Sequence, residues 1–411
     1  MLNRSFLIIC TLVSAVFIFT HCVDEANNKR ITAPNQDRFA SFAGDASCGS
    51  CHKDIYDAHL ETGHFNSSAI ATAKTVIGSF NKDSNTYQFN PNLFIAMVKK
   101  DSAMFQAIYF KNELKKELPF SIVTGSGAKG QTYLYWSANK LFQLPISYFT
   151  AIHQWVNSPG FLANKVTFDK PVTARCLECH TTYAAVTTTA DAHQDEYDRG
   201  KMIMGIGCEK CHGPAAGHVE YHTKNSTEKI GKFIINTGKL SRQKQLDLCI
   251  LCHGGNLQKT TPSFAYTAGD NLSDFFDTAA ITTANSNTDN IDVHGNQYGL
   301  LKNSKCFLNS SSITCNTCHS PHDKERGNIA LFSSRCMNCH NTAKKTFCTV
   351  KQTAGFNLKK NCIDCHMPAK PSMSVTMTVQ NEDLPKVALL RSHLIRIYRE
   401  ETSKVLAKNK R

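Results

Sequence analysis

The sequence contains seven pentapeptides of the form Cys-x-x-Cys-His, a spacing with a specific chemical use. Two thiols on one turn can form thioethers with the two vinyl groups of one haem, and the imidazole that follows can bind its iron. A chain of this composition would contain roughly 0.03 such pentapeptides by chance. The thioether positions are Cys48, Cys51, Cys176, Cys179, Cys208, Cys211, Cys249, Cys252, Cys315, Cys318, Cys336, Cys339, Cys362 and Cys365, and the proximal iron ligands are His52, His180, His212, His253, His319, His340 and His366. We therefore predict seven covalently attached c-type haems.

Paired cysteines also occur in zinc sites and in thioredoxin-like redox centres. Neither use requires a histidine directly after the second cysteine, whereas all seven motifs here have one. The motifs thus favour haem attachment.

The N-terminus is typical of an exported protein. Arg4 precedes an apolar run from Phe6 to Thr20, which suits a secretory signal and is short for a bilayer-spanning helix. A content of 18 cysteines also fits a compartment outside the cytosol. We expect residues 1–21 to be a signal peptide, and the protein to reside in the periplasm, on the outer membrane or at the cell surface.

Cys22 closes the apolar run and resembles the acylated cysteine of a bacterial lipoprotein signal, which would anchor the chain to a membrane. His21 stands where a small residue is usual, so ordinary signal-peptidase cleavage and an uncleaved anchor stay open as alternatives.

The net charge of +13 does not indicate a nucleic-acid-binding protein. Seven haems bring up to about −14 from their propionates, which would leave the loaded protein near neutrality. The basic excess is therefore interpreted as a counter-charge to the cofactors, and we expect no nucleic-acid partner.

The spacing of the motifs predicts the domain organisation. Six of them fall within about 190 residues after Cys176, so porphyrins must supply much of the apolar interior and short helices should carry the motifs, as over Ser241–Cys252 with Ser241 as the cap. We predict a mainly α fold with long loops, a multihaem cytochrome c architecture built around a haem stack, plus a small antiparallel β-meander insertion. The expected parts are a flexible tether at 22–44, a first haem segment at 45–84, the β insertion at 85–150, a six-haem body at 151–380 and a C-terminal segment at 381–411 that supplies a distal histidine.

The β insertion is inferred from apolar runs rich in β-branched and aromatic residues, separated by turn formers. Within it, Gly125-Ser-Gly-Ala-Lys-Gly130 matches the dinucleotide-binding glycine pattern. The residues that follow, Gln-Thr-Tyr-Leu-Tyr-Trp, are typical of a strand and not of a helix, so we interpret the glycines as a loop between strands.

Nine histidines outside the signal and the motifs are candidates for the second axial position of the seven irons. They are His59, His64, His153, His193, His218, His222, His294, His322 and His393. Two axial imidazoles suit an iron to electron transfer, whereas a missing one leaves a position for substrate. His322 follows His319 by three residues, so one turn cannot aim both at opposite faces of one haem, and we expect His322 to reach a neighbouring haem.

Several segments together resemble the cytochrome c-554/c-prime-related multihaem family. They are Ser47-Cys48 to His52 with Gly63-His64, Gly125-Ser-Gly with Gly130-Gln131-Thr-Tyr133, Ser158-Pro-Gly160, Gly205 to Pro214, Val293-His294-Gly-Asn-Gln297, Cys318-His-Ser-Pro-His322 and Cys365-His-Met-Pro368. The resemblance implies that His64, His218, His294, His322 and His393 are distal ligands. It leaves His59, His153, His193 and His222 as weaker candidates.

The chain departs from two enzymatic branches of that family. Its nitrite-reducing members have a motif ending in Lys at the catalytic haem, and here all seven motifs end in His. We also find no counterpart of the added tyrosine motif of the hydroxylamine-oxidising members. Five distal candidates for seven haems still leave an open iron as an alternative.

Two further sulfur-containing sites were considered. Cys306 and Cys348 flank the fifth and sixth motifs, and in an oxidising compartment we expect them to form a disulfide, typically worth ~2 to 4 kcal/mol. Met367 directly follows His366, so we expect it to pack and not to bind the same iron.

The sequence therefore predicts an exported electron carrier that exchanges electrons with redox partner proteins of a cell-envelope respiratory chain. The alternative is a terminal oxidoreductase that reduces or oxidises a small nitrogen or sulfur compound at an open haem. A third reading is a structural subunit or sensor of a surface respiratory complex. Whether the chain is an enzyme, and whether it forms a homo-oligomer, stay undecided at this level.

Overall fold

The computed structural model describes residues 38–162, 165–191, 194–255, 257–279, 281, 296–350, 356–380, 382 and 384–408. The chain divides into two units, Met1–Ser41 and Phe42–Arg411. In the first, the described residues form the 3₁₀ turn Arg38–Ser41. The predicted signal peptide at 1–21, Cys22 and the first part of the predicted tether lie outside the described residues, and all that follows concerns the second unit.

The described helices are short, and most of them carry or adjoin a haem motif. The α-helices are α1 (Asp45–Gly49), α2 (Lys53–Leu60), α3 (Ala174–Glu178), α4 (Cys208–His212), α5 (Ala216–Lys224), α6 (Arg242–His253), α7 (Gln297–Lys302), α8 (Lys305–Leu308), α9 (Ile329–Met337), α10 (Cys362–His366) and α11 (Arg399–Lys408). Further 3₁₀ turns span Phe65–Ser67, Thr237–Lys239, Leu272–Asp274, Cys315–Thr317 and Leu358–Lys360. Helix α6 begins as predicted, because the Ser241 side chain accepts a hydrogen bond from the Lys244 amide.

The strands form two larger antiparallel sheets and two hairpins. They are β1 (Ser68–Ile70), β2 (Thr86–Asn90), β3 (Leu93–Lys100), β4 (Ala103–Phe110), β5 (Glu113–Pro119), β6 (Ile122–Thr124), β7 (Gly130–Ser137), β8 (Lys140–Gln143), β9 (Ile146–Phe149), β10 (Gln154–Asn157), β11 (Thr181–Asp191), β12 (Gln194–Met204), β13 (Gln258–Lys259), β14 (Phe276–Asp277), β15 (Ala369–Met377) and β16 (Lys386–Arg391). One sheet has the order β2-β3-β4-β5. The other has eight strands, in which β1-β6-β7-β8-β12-β11 form the main path and β9 joins β10 to β7.

The prediction of a mainly α fold with a small β meander is wrong. The structure is 29% helix and 27% strand, and its largest sheet incorporates the long hairpin β11–β12 from within the segment predicted as the six-haem body. The helices shorten because a haem motif needs only one turn to present its two thiols and its imidazole. Strands supply the connections between the first three motifs.

An aromatic cluster lies within a buried core that residues of both sheets share. Trp155 packs against Phe80, Phe120, Tyr133 and Tyr148, with ring centres 5.3 to 6.1 Å apart. All of them except the half-buried Phe80 belong to the buried core. This core needs no cofactor, so the β part of the chain provides a stable support on which the haem motifs are mounted.

No helix within the described residues is both long and apolar enough to cross a membrane.

Candidate haem sites

Each motif places its three functional side chains on a single helical turn. In three motifs the histidine amide donates to the carbonyl of the first cysteine, with N–O distances of 2.8 Å for His52 and 2.9 Å for His319 and His340. Motifs three and seven form the short helices α4 and α10, and motif four ends α6. The turn projects both thiols and the imidazole together, as thioether attachment and iron binding require.

Functional side chains of the first six motifs face one large connected cavity of about 2960 Å³. A site for one small ligand typically has about 300 to 1,000 Å³, so this space suits several large groups. Both cysteines and the histidine of each of the first five motifs line it, together with Cys336 of the sixth. Two buried polar atoms with no hydrogen-bond partner, Tyr266 Oη and Gln297 Oε1, belong to lining residues. The cavity and these unpartnered atoms fit bound haem groups.

Hairpin β11–β12 brings the second and third motifs together. Motif two directly precedes β11 and motif three follows β12, so pairing of Thr181 with Met204 sets the two motifs side by side. The Thr182 hydroxyl donates to the Gly205 carbonyl at 2.9 Å and accepts from the Gly207 amide at 2.8 Å. The base of the hairpin is thus fixed by hydrogen bonds as well as by the ladder.

Residues 64–68 connect this hairpin base to the fourth motif. The hydroxyls of Ser67 and Ser68 donate to the His180 carbonyl at 2.9 and 2.6 Å, and the Ser67 carbonyl lies 3.4 Å from His180 Nδ1. Three residues earlier, the His64 ring lies opposite His253 of the fourth motif. A single segment therefore positions ligands of two different haems.

Three pairs of imidazoles that each include one motif histidine have the separation expected of two axial ligands on one iron. Two rings on opposite faces of one iron, each bound at about 2 Å, have centres roughly 6 Å apart. The observed ring-centre distances are 6.2 Å for His64 and His253, 6.2 Å for His212 and His322, and 6.0 Å for His319 and His393. The structure thus brings three of the histidines that the family resemblance implied, His64, His322 and His393, opposite motif histidines.

In four of the predicted iron ligands, the hydrogen bond made by Nδ1 leaves Nε2 available for the metal. Nδ1 lies 2.9 Å from the Ile235 carbonyl in His212, 2.9 Å from Arg396 O in His366, 3.2 Å from Thr346 O in His340 and 3.2 Å from Arg391 O in His393. A carbonyl can only accept, so Nδ1 carries the proton and Nε2 offers its lone pair. His218 has the same arrangement, with Nδ1 2.8 Å from Lys232 O.

Five of the six paired histidines are held in the neutral form that binds metal. Burial, with a smaller effect of neighbouring histidines, lowers the pKa of His64 and of His393 to about 4. Burial also lowers the pKa of His253, His319 and His322. Because protonated imidazole cannot bind iron, these shifts favour ligation at neutral pH.

The remaining distal candidates are placed differently. His59 has Nε2 2.9 Å from the Ile206 carbonyl and Nδ1 3.2 Å from the Pro321 carbonyl, so both nitrogens are engaged. His222 accepts the Lys232 amide through Nε2, and His153 lies exposed on a turn away from the cavity lining. His193 and His294 lie outside the described residues.

Cysteines of different motifs touch one another. The thiols of four pairs lie close enough to shift each other's pKa, lowering that of one member and raising that of the other. The pairs are Cys48 and Cys208, Cys179 and Cys252, Cys249 and Cys315, and Cys336 and Cys362. Since each thiol is an attachment point, groups bound at two such motifs must be neighbours. Motif one thus adjoins three, motif four adjoins both two and five, and motif six adjoins seven.

Two further contacts complete the connection of all seven motifs. The pairing of His322 with His212 links the segment of motif five to motif three. The Arg335 guanidinium, one residue before motif six, donates to the Cys318 carbonyl of motif five at 2.6 Å. Motifs three, five and six are therefore neighbours as well.

Buried carboxylates inside the motifs fix them to the protein. Glu209, within motif three, accepts from the amides of Ala43, Gly44 and Ala215 at 2.8, 2.9 and 2.8 Å. Glu178, within motif two, accepts from the Phe264 amide at 2.6 Å and from Arg175 at 3.1 Å. These positioning residues, along with Ser67 and Thr182, were not predicted from the sequence. An acidic residue between the two cysteines was the available signal for the carboxylates, whereas the hydroxyls gave none.

Three sulfur-containing residues outside the motifs were also singled out from the sequence, namely Cys306, Cys348 and Met367. Cys306 is half-buried and Cys348 is exposed, and both are free thiols in this structure, so the disulfide stays a prediction. Met367 lines the cavity. No group of three or more His, Cys, Asp or Glu side chains is placed to hold a metal ion directly within the part of the chain that the structure describes.

Comparisons with known proteins agree with the motifs. Residues 148–213 match the family described as cytochrome c554 and c-prime. The fold is similar to that of the outer cell wall cytochrome OcwA, with a TM-score of 0.51 and 17% identity over 89% of this chain and 82% of that one. No curated protein matches significantly. The family match and the shared fold support a place for this chain among the multihaem c-type cytochromes.

Proposed function

We propose that this chain, a multihaem c-type cytochrome by its motifs, its family match and its fold, carries seven haems and transfers electrons within the cell envelope. The contacts that join all seven motifs into one network support this proposal. Electron tunnelling slows steeply with distance, so a carrier needs its redox groups in such an uninterrupted series. The three imidazole pairs favour six-coordinate iron, which changes oxidation state with little rearrangement.

Two weaker observations support a location in the cell envelope. OcwA is by its title an outer cell wall cytochrome, and the N-terminal apolar run and Cys22 are typical of an exported, lipid-anchored protein. We infer that the chain is exported and exchanges electrons with other redox proteins of the envelope.

A second candidate function is reduction or oxidation of a small nitrogen or sulfur compound. His52, His340 and His366 face no second imidazole among the residues that the structure describes. Of these three, only His52 lines the large cavity, which is also lined by Lys129 and Arg326. Burial and then the nearby Arg326 guanidinium lower the pKa of Lys129. An open iron beside paired cations would suit an anionic substrate.

Electron paramagnetic resonance of the oxidised, fully loaded protein distinguishes the two functions. A carrier should show only low-spin iron, seven haems per chain by mass, and no binding of carbon monoxide after reduction. One or more high-spin irons, together with reoxidation of the reduced protein by a nitrogen or sulfur oxyanion, would instead establish the enzyme. A chain that matures without covalent haem would refute both.

A further inference from the structure

The segment around motif six has an unusual charge distribution. Residues 326–363 contain seven basic residues and no Asp or Glu, in a chain with 33 acidic residues overall. The basic residues are Arg326, Arg335, Lys344, Lys345, Lys351, Lys359 and Lys360. Arg335 is half-buried and paired with Glu325 from just outside the segment, so lysines dominate its surface.

Motif six itself lies at the surface. Cys339 and His340 are both exposed, and only Cys336 of this motif reaches the large cavity. The chain then turns back on the motif, because the Thr346 hydroxyl donates to the Cys339 carbonyl at 2.8 Å and the Thr346 carbonyl binds His340 Nδ1. The turn that carries Lys344 and Lys345 is thereby held beside the motif.

Four exposed lysines surround this motif on two sides, and we call Lys344, Lys345, Lys359 and Lys360 the lysine rim. Lys344 Nζ donates to the Asn338 carbonyl inside the motif at 3.2 Å. Lys359 and Lys360 belong to the 3₁₀ turn Leu358–Lys360, which packs against α9 just before motif six. Among the described residues, no carboxylate forms an ion pair with any of the four, whereas Lys100 pairs with Glu117 at 2.7 Å and Lys53 with Asp57 at 2.5 Å.

We propose that the lysine rim docks an acidic redox protein, so that electrons enter or leave this chain at motif six. This inference rests on the proposed electron-transfer function and names the partner's chemistry. Unpaired positive charges around a redox centre steer a negatively charged partner and raise its association rate. An exposed attachment motif at the middle of the rim favours a redox protein over a lipid surface, because only a redox partner gains from proximity to that motif.

The test measures reduction of the oxidised, fully loaded protein by reduced plant-type ferredoxin, an acidic donor with a potential near about −400 mV. Three proteins are compared: the wild type, a rim variant with Lys344, Lys345, Lys359 and Lys360 changed to Glu, and a control variant with the exposed Lys74, Lys82, Lys99 and Lys111 changed to Glu. Both variants change the net charge equally. Photogenerated lumiflavin semiquinone, a small uncharged reductant, is used in parallel.

We expect the wild-type rate with ferredoxin to fall about tenfold or more from low to high salt, and the rim variant to be about tenfold slower at low salt with a flat salt dependence. The control variant should stay within about twofold of wild type, and lumiflavin should reduce all three alike. If the rate with ferredoxin falls equally in both variants, the effect is caused by net charge alone and the proposal is wrong.

Two other results would also overturn it. If the rim variant loses binding to phosphatidylglycerol vesicles but keeps its rate with ferredoxin, the rim is a membrane contact. If it shifts a haem reduction potential while its salt dependence is unaltered, the lysines serve the propionates. Failure of both reductants with the wild-type protein would contradict the electron-transfer function itself, which is a separate outcome.

Discussion

The imidazole of His322 stacks opposite that of His212, with ring centres 6.2 Å apart and ring planes inclined by 13°. His322 follows the fifth motif by only three residues, and His212 belongs to the third motif. We therefore infer that the segment after the fifth motif provides a ligand for the haem predicted at the third motif. Such cross-ligation makes the geometry of each haem site depend on the packing of its neighbour.

Replacing His322 with Ala should open one iron. We expect one of the seven haems to become high-spin in the oxidised protein and to bind carbon monoxide when reduced, because no other described imidazole opposes His212 with a free nitrogen. Covalent haem content should be unchanged. His153→Ala is the control, since His153 is exposed and away from the cavity. An unaltered spin state in the His322 variant would show that another residue binds this iron.

Replacing Gly205 with Ala should disrupt the hairpin base. Gly205 has φ +70°, and a Cβ there would lie 2.1 Å from the Phe65 carbonyl oxygen, so the backbone of the ligand-bearing segment 64–68 must move. We expect a loss of folded, fully loaded protein, with a stability cost above the ~1 kcal/mol typical of a left-handed alanine. Gly327→Ala is the matched control, because Gly327 has φ +86° but a Cβ added there would have no neighbouring atom within 4 Å. Equal urea midpoints for the two variants would rule out the steric argument.

Replacing Glu209 with Gln should loosen motif three. The buried carboxylate accepts three backbone amides, and hydrogen bonds to a charged group contribute about 1.5 to 3 kcal/mol each, so we expect the free energy of unfolding to fall by roughly 2 kcal/mol. Chemical denaturation measures this change. Glu220→Gln is the control, because its ion pair with Lys224 is exposed and should contribute little to stability. If both variants lose a similar free energy of unfolding, the buried hydrogen bonds of Glu209 do not stabilise the motif.

The ion pair of Glu325 and Arg335 should make the free energy of unfolding depend on pH in the acidic range. The Arg335 guanidinium lowers the pKa of the Glu325 carboxyl below its ordinary value. Above the ordinary glutamate value of about 4.3, both folded and unfolded states are ionised and the contribution is complete. Below that pH the unfolded state protonates first, so the contribution decreases until the pH has passed the folded pKa. Between pH 6 and pH 3, the free energy of unfolding should decrease less steeply for Glu325→Gln than for wild type. The exposed control Glu113→Gln should behave like wild type.

Much of the strand pattern could be predicted from the sequence, since the apolar, β-branched runs at 93–98, 104–110 and 131–136 all lie in strands. Strand β5 gave no signal, because Glu113–Pro119 is a largely exposed edge strand rich in charge. Hairpin β11–β12 was overlooked because the density of motifs favoured helices throughout that region. Its many threonines and other strand formers were the signal available.

The sequence by itself determined where haems are predicted to attach and which imidazoles are predicted to be proximal, because both follow from covalent spacing within five residues. Only the tertiary structure decided that His64 opposes His253, that His322 opposes His212 and that His393 opposes His319. These partners are separated by between 74 and 189 positions in the chain. Spacing fixes geometry over a single turn, whereas contacts at such separations depend on how sheets, hairpins and buried carboxylates pack.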